Sequence, residues 1–121
     1  MTHNGPLAEL SFKFAIDIVH TYKTLAESRR EYVMSKQLLR SGTGVGALIR
    51  EARNAESKRD FVHKLGIAQK ECDETLYWLE LLFATGYLGR ETFVQMSGRN
   101  QEILWLIKSI ILTTRQRYDL K

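Results

Sequence analysis

The sequence predicts an all-α protein, an up-down-up-down antiparallel four-helix bundle, from three observations. The only proline among 121 residues is Pro6, so nearly the whole chain lacks the strongest helix breaker. Apolar residues recur at spacings of three and four along four long segments, as in helices that bury one face. The connections between these segments are short, which makes sequential helices antiparallel neighbours. We expect residues 1–121 to form one domain, with 1–6 flexible.

The first two helices are predicted from about Leu7 to Ala26 and from about Glu31 to Asn54. The polar residues 27–30 between them form the first turn. The apolar stripe of the first helix consists of Phe12, Ala15, Val19, Tyr22 and Ala26, and Phe14, Ile18 and Leu25 widen it. That of the second consists of Leu38, Gly42, Val45, Ile49 and Ala52.

Three glycines interrupt the second helix in the run Ser41-Gly-Thr-Gly-Val-Gly-Ala47. Each costs about 1 kcal/mol relative to alanine inside a helix. Gly42 and Gly46 share one face, which favours close packing against another helix. Two alternatives remain open at this point: a local bend or unwinding, and a phosphate-binding loop. The loop lacks the preceding strand and the glycine–lysine ending of a P-loop.

The third helix is predicted from Ser57 to Thr85, and the fourth from about Arg90 to Arg117. Ser57-Lys-Arg-Asp60 is a capping-box pattern at the start of the third, and Gly86 is a suitable residue to end it. The apolar stripe of the fourth helix includes the polar Asn100 between Met96 and Ile103.

The last two helices are more apolar than a monomeric bundle requires. Between Tyr77 and Phe83 only Glu80 is polar, and 103–107 and 110–112 are equally apolar. A helix that is apolar on every side is covered on every side, so we expect a homo-oligomer. The alternative is an unusually apolar monomer. The predicted oligomer interface consists of Tyr77, Trp78, Leu81, Leu82 and Trp105.

The net charge is +4, with 18 basic against 14 acidic residues. Most of the excess lies between Arg29 and Lys70, whereas acidic residues predominate from Glu71 to Glu91. A basic surface of this kind is compatible with nucleic-acid binding, and the alternative is a solvated positive face. The candidate nucleic-acid-binding residues lie on the second helix and at its two ends: Arg29, Arg30, Lys36, Arg50, Arg53, Lys58 and Arg59.

The sequence contains no pattern typical of an enzyme, a metal site or a cofactor site. Asp60 and His63 have the carboxylate–histidine spacing of di-iron bundles, but those proteins need a second such motif. Cys72 is the only cysteine and falls on the core stripe, which predicts an inert thiol and no disulfide within the chain. The N-terminus does not resemble a signal peptide, and no segment has the roughly 20 apolar residues of a membrane span. We therefore expect a cytoplasmic protein.

Two segments resemble signatures of the bacterial four helix bundle protein family. The first is Gln37-Leu-Leu-Arg-Ser41, continuing through Ala47 to Glu51-Ala52. The second comprises Ser57-Lys-Arg-Asp-Phe61, Glu74-Thr75 and Tyr77-Trp-Leu79. Family members were first noticed as reading frames in intervening sequences of large-subunit ribosomal RNA genes. A related protein is the accessory variability determinant of diversity-generating retroelements. Two departures are Gly44, where a serine is usual, and Leu48-Ile-Arg50, which replaces a stretch that usually opens with asparagine.

The resemblance implies a ring-shaped homopentamer without enzymatic activity. The accessory relative associates with a reverse transcriptase and with nucleic acid. Arg40 and Glu51 match recurrent charged positions of the family signature. We expect a buried Glu51 that forms an ion pair with Arg40, Lys64 or Lys70.

Three functional hypotheses follow. The first is a non-catalytic homo-oligomeric scaffold that binds RNA or DNA through its basic surface. The second is a protein–protein adaptor that docks a partner enzyme such as a reverse transcriptase, with charge providing complementarity. The third, a metal- or ligand-binding helical enzyme, has the least support in the sequence.

Overall fold

The computed structural model describes residues 5–120, which form four antiparallel helices. They are α1 (Gly5–Glu27), α2 (Met34–Arg53), α3 (Lys58–Ala84) and α4 (Arg90–Arg117). Each helix packs on the next and α4 returns to α1, so the four stand at the corners of a square. The buried apolar residues form a core along its centre. The all-α four-helix bundle predicted from the sequence is confirmed.

The first helix begins at Gly5, two residues before the predicted start. Pro6 occupies its first turn, where a missing backbone N–H breaks no helical hydrogen bond. Of the segment predicted to be flexible, residues 1–4 lie outside the described residues.

The second helix begins at Met34, so the prediction of a start at Glu31 was wrong. The carboxylate of Glu31 accepts hydrogen bonds from the backbone N–H groups of Val33, Met34 and Ser35, at 3.1, 3.0 and 2.7 Å. Glu31 is buried and therefore caps the helix from outside it. The preceding Arg30 turns the chain with a φ of 55°.

The glycines of α2 allow close packing, as predicted. A Cβ atom on Gly42 would lie 2.7 Å from side-chain atoms of Ile18, and one on Gly46 would lie 3.3 Å from the backbone oxygen of Ser11. Residues 34–53 form one uninterrupted helix. The alternatives of a phosphate-binding loop and of a local unwinding were therefore wrong.

The third and fourth helices begin where the sequence predicts. The hydroxyl of Ser57 accepts a hydrogen bond from the backbone N–H of Asp60 at 3.0 Å. The carboxylate of Asp60 accepts one from the backbone N–H of Glu56 at 3.1 Å, one residue earlier than in a standard capping box. Gly86 follows α3 with a φ of +85°, the left-handed conformation typical of glycine at a helix end.

Candidate nucleic-acid interface

Three of the predicted nucleic-acid-binding residues lie together at one end of the bundle. Arg53 ends α2, and Lys58 and Arg59 begin α3 after a short turn. All three side chains are exposed. The ammonium group of Lys58 lies 4.8 Å from the ring centroid of Tyr118, which follows α4. The end of α4 therefore reaches the same surface.

Two further basic residues join this surface, and the sequence analysis missed them. Arg115 and Arg117 lie in the last turn of α4 and are exposed. The available signal was the topology, because α2 and α4 of an up-down-up-down bundle end on the same side. Together these five residues form the basic end: Arg53, Lys58, Arg59, Arg115 and Arg117.

The charges of the basic end are available for an external partner. Within residues 5–120, none of these five side chains takes part in a salt bridge. Arg53, Arg115 and Arg117 also lie in the last turns of their helices. A positive charge is favourable there, because the C-terminal end of a helix carries a partial negative charge. This interaction stabilises the helix ends, and the guanidinium groups remain exposed to solvent.

Arg29, also predicted to bind nucleic acid, holds the opposite end of the bundle together. Its guanidinium group donates hydrogen bonds to the backbone oxygens of Tyr87 and Gly86, at 3.0 and 3.2 Å. It also lies 5.1 Å from the ring centroid of Tyr87. These contacts join the α1–α2 connection to the α3–α4 connection. The neighbouring Arg30 and Lys36 are exposed.

A groove opens between α1 and α2 beside the basic end. Its volume is about 840 Å³, and most of its lining is apolar. Arg50 and Arg53 lie along it, and the guanidinium of Arg50 stands 5.9 Å from the ring centroid of Phe12. Arg50, another of the predicted nucleic-acid-binding residues, is thus partly engaged with an aromatic ring.

The predicted polar network separates into two ion-pair clusters. Arg40 pairs with Glu71, at 3.5 Å, and with Glu74. Glu51 pairs with Lys64 at 3.4 Å, but its side chain is 57% exposed, so the prediction that it is buried was wrong. Glu51 lies in the last turn of α2, where the helix pair meets solvent. Lys70 is exposed and forms no salt bridge within residues 5–120.

The predicted oligomer-interface residues have different environments. The Tyr77 and Trp105 side chains are 54% and 66% exposed, whereas Trp78 and Leu81 are half-buried. Leu82 is fully buried in the core of the single chain, so its assignment to the interface was wrong. The apolar run that contains it supplies residues to the core as well as to the surface.

The described residues also bear on metal binding, thiol chemistry and membrane insertion. Among residues 5–120 no three His, Cys, Asp or Glu side chains come together as metal ligands would. Burial, with the nearby charges of Asp73 and Glu71, raises the pKa of the Cys72 thiol to about 12. The Cys72 thiol is therefore protonated at neutral pH and is a weak nucleophile. Within the same part of the chain, no helix has the length and apolar character of a membrane span.

Comparison with known proteins agrees with this fold. The family model described as 23S rRNA-intervening sequence protein matches residues 6–109. A solved structure with a TM-score of 0.87 is similar over 88% of this chain and 98% of its own, at 50% sequence identity. It is a protein of unknown function from the S23 ribosomal protein family of Bacteroides thetaiotaomicron. Among curated proteins, none matches significantly. The chain therefore belongs to the 23S rRNA-intervening sequence protein family.

Proposed function

We propose that this protein is a non-catalytic, homo-oligomeric helical scaffold that binds RNA or another nucleic acid through its basic end. The observation that carries the proposal is the convergence of five exposed cationic side chains from three chain segments. Within residues 5–120, none of these five side chains forms a salt bridge. Phosphate groups are the ligands that such a surface attracts most strongly.

The basic end favours backbone contacts over base recognition. The ring of Tyr118, which lies at this end, is placed against the ammonium group of Lys58. Arginine and lysine side chains that contact phosphates set position and affinity but carry little sequence information. We therefore expect binding that depends on salt and only weakly on sequence.

Homo-oligomerisation would multiply weak contacts. The exposed Tyr77 and Trp105 support self-association, because large aromatic side chains on a surface are typical of interfaces. The family resemblance favours a ring of five copies. In such a ring the basic end repeats with the rotational symmetry, so that one nucleic acid could contact several copies at once.

The test is a titration of wild-type protein with labelled RNA and DNA of equal length at about 50 and 200 mM salt, followed by fluorescence anisotropy. The triple variant Arg53→Gln, Lys58→Gln, Arg59→Gln should lose most of the affinity. Each lost phosphate contact should flatten the slope of log K against log salt by about 0.7–0.9.

A matched control changes the net charge equally at the opposite end of the bundle. Thr24→Glu, Thr92→Glu and Gln95→Glu alter exposed positions and should affect affinity only slightly. If this control weakens binding as much as the triple variant, the effect is one of net charge and not of the basic end. Retention of the oligomer by both variants is verified by sedimentation.

The second candidate function is an adaptor that docks a partner protein such as a reverse transcriptase. The apolar groove between α1 and α2 favours it, since apolar clefts with charged rims are typical of protein-binding surfaces. If wild type fails to bind nucleic acid at low salt, or if the triple variant binds unchanged, the adaptor function is preferred.

A further inference from the structure

Two opposite faces of the bundle carry exposed apolar side chains. Within residues 5–120, α1 and α3 both pack on α2 and α4 but not on each other. The outer surface of the α1–α2 pair is therefore opposite that of the α3–α4 pair. The α1–α2 face is defined by Phe12, Lys23, Lys36 and Ala47. The α3–α4 face is defined by Tyr77, Glu80, Glu91 and Trp105.

The two faces have complementary relief. The α1–α2 face contains the groove of about 840 Å³, which Phe12 and Ala47 line and where Gly46 contributes no side chain. The α3–α4 face carries Trp105, which at 66% is the most exposed aromatic side chain of the described residues. An aromatic anchor inserted into an apolar pocket is the usual centre of a stable interface.

The groove and Trp105 lie at the same height along the bundle. The ion pair between Asp17 and Arg99 sets the register of the antiparallel helices α1 and α4. At 1.5 Å per residue, Phe12 lies about 7.5 Å from Asp17 along the bundle axis, towards the basic end. Trp105 lies about 9 Å from Arg99 in the same direction. Rotation about an axis parallel to the bundle leaves heights unchanged. Equal height is therefore a requirement of a rotationally symmetric assembly that these two patches meet.

Farther from the basic end than the groove and Trp105, the two faces carry exposed charges of opposite sign. Along the bundle axis, away from the basic end, Lys23 is about 9 Å from Asp17 and Glu91 is about 12 Å from Arg99. Lys36 lies at about the same height along the bundle as Lys23, because the contact of Gly42 with Ile18 sets the register of α1 and α2. Lys23, Lys36, Glu80 and Glu91 are exposed and form no salt bridge within residues 5–120.

We propose that the α1–α2 face of one copy receives the α3–α4 face of the next, with Trp105 in the groove beside Phe12 and Ala47. The two lysines then face Glu80 and Glu91 of the neighbouring copy, which favours this orientation. This inference rests on the proposed homo-oligomer and specifies which surfaces meet.

The first test uses two variants that each damage one face. Ala47→Arg fills the groove and Trp105→Glu removes the anchor, and both positions are exposed, so the fold is retained. In sedimentation velocity, each variant alone should run as a monomer of 14.0 kDa. An equimolar mixture has one intact groove and one intact anchor and should form a heterodimer that cannot grow further. The control Thr113→Glu, exposed on the Arg99 side of α4, should remain oligomeric.

The second test exchanges charges. Lys23→Glu with Lys36→Glu should weaken association at least about ten-fold, since two opposed pairs become repulsive. Adding Glu80→Lys and Glu91→Lys to the same chain should restore it. Circular dichroism verifies that every variant is folded.

Three results would overturn the inference. If Trp105→Glu dissociates the oligomer but Ala47→Arg does not, the α3–α4 face contacts itself. If neither variant dissociates it, the interface lies elsewhere. In both cases the proposed homo-oligomer stands and only the assignment of faces falls. A wild-type protein that sediments as a monomer at all concentrations removes the homo-oligomer together with this inference.

Discussion

The side-chain amide of Asn100 donates a 2.9 Å hydrogen bond to the backbone oxygen of Cys72, across the buried contact of α3 with α4. Asn100 is fully buried. Asn100→Ala removes this bond and leaves a cavity, so it should lower the free energy of unfolding by about 2–4 kcal/mol. Chemical denaturation at fixed protein concentration measures the loss. The neighbouring Gln101→Ala, at an exposed position, should change stability by less than about 0.5 kcal/mol.

Gly44 lies opposite a carboxylate that a serine could bond. A Cβ atom at this position would lie 3.4 Å from Oε1 of Glu71, a buried oxygen that accepts no hydrogen bond within residues 5–120. Gly44→Ser should raise the thermal unfolding midpoint, because it adds a hydroxyl donor and improves helix propensity. Alanine is the better helix former, so Gly44→Ala is the control for propensity alone. A serine variant that is less stable than the alanine variant by more than their difference in helix propensity, about 0.5 kcal/mol, would exclude the hydrogen bond to Glu71.

The cap formed by Glu31 predicts a pH-dependent stability. Burial alone would raise the pKa of Glu31, but hydrogen bonds from the backbone N–H groups of Met34, Ser35 and Val33 outweigh it and lower the pKa from 4.5. A carboxyl whose pKa is lower in the folded state stabilises the fold above its unfolded pKa, and loses that effect as pH falls through the folded pKa. Glu31→Gln should therefore cost about 1–2 kcal/mol at pH 7 and progressively less below about pH 4.5.

Denaturant titrations at several pH values test this cap. The control Glu27→Gln changes an exposed carboxylate in the same region and should show neither the cost nor its pH dependence. A cost for Glu31→Gln that stays constant from pH 7 to pH 3 would contradict the role of the carboxylate charge.

Gly46 provides a test of helix packing. Because a Cβ atom there would lie 3.3 Å from the backbone oxygen of Ser11, Gly46→Leu should destabilise the bundle by a few kcal/mol through overpacking. The same substitution at Gly66, which has no atom within 4 Å of its Cβ position, should instead be stabilising through helix propensity. Thermal unfolding of both variants gives the comparison. Equal midpoints for the two would mean that α1 does not restrict position 46.

Local sequence signals were sufficient for the existence of the four helices and for the packing face of α2, but not for that of α1. None of the residues Phe12, Ala15, Val19, Tyr22 and Ala26 is buried, and Phe12 is 56% exposed, whereas Phe14, Ile18 and Leu25 lie in the core. Apolar spacing depends only on helical geometry, and the Ser57 cap and Gly86 act within a few residues of their own positions. For this reason the predicted starts of α3 and α4 fall within one residue of those observed. The close packing of another helix on Gly42 and Gly46 was also predictable from the sequence, because two glycines on one helix face are typical of a close helix–helix contact.

The candidate site depended on contacts between residues far apart in sequence. The tertiary structure brought the end of α4, where Arg115 and Arg117 lie, to the same end of the bundle as Lys58 through the contact with Tyr118. It also engaged Arg29 with Tyr87 and left Glu51 in solvent. It also placed Leu82 inside the core and Tyr77 outside, although both belong to the same apolar run.

The sequence by itself thus determined four antiparallel helices, because propensity, capping and periodicity act through neighbouring residues. Only the tertiary structure decided which exposed side chains share a surface. Burial and electrostatic contact depend on the rotation and register of each helix against its neighbours, and side-chain packing across the bundle fixes both.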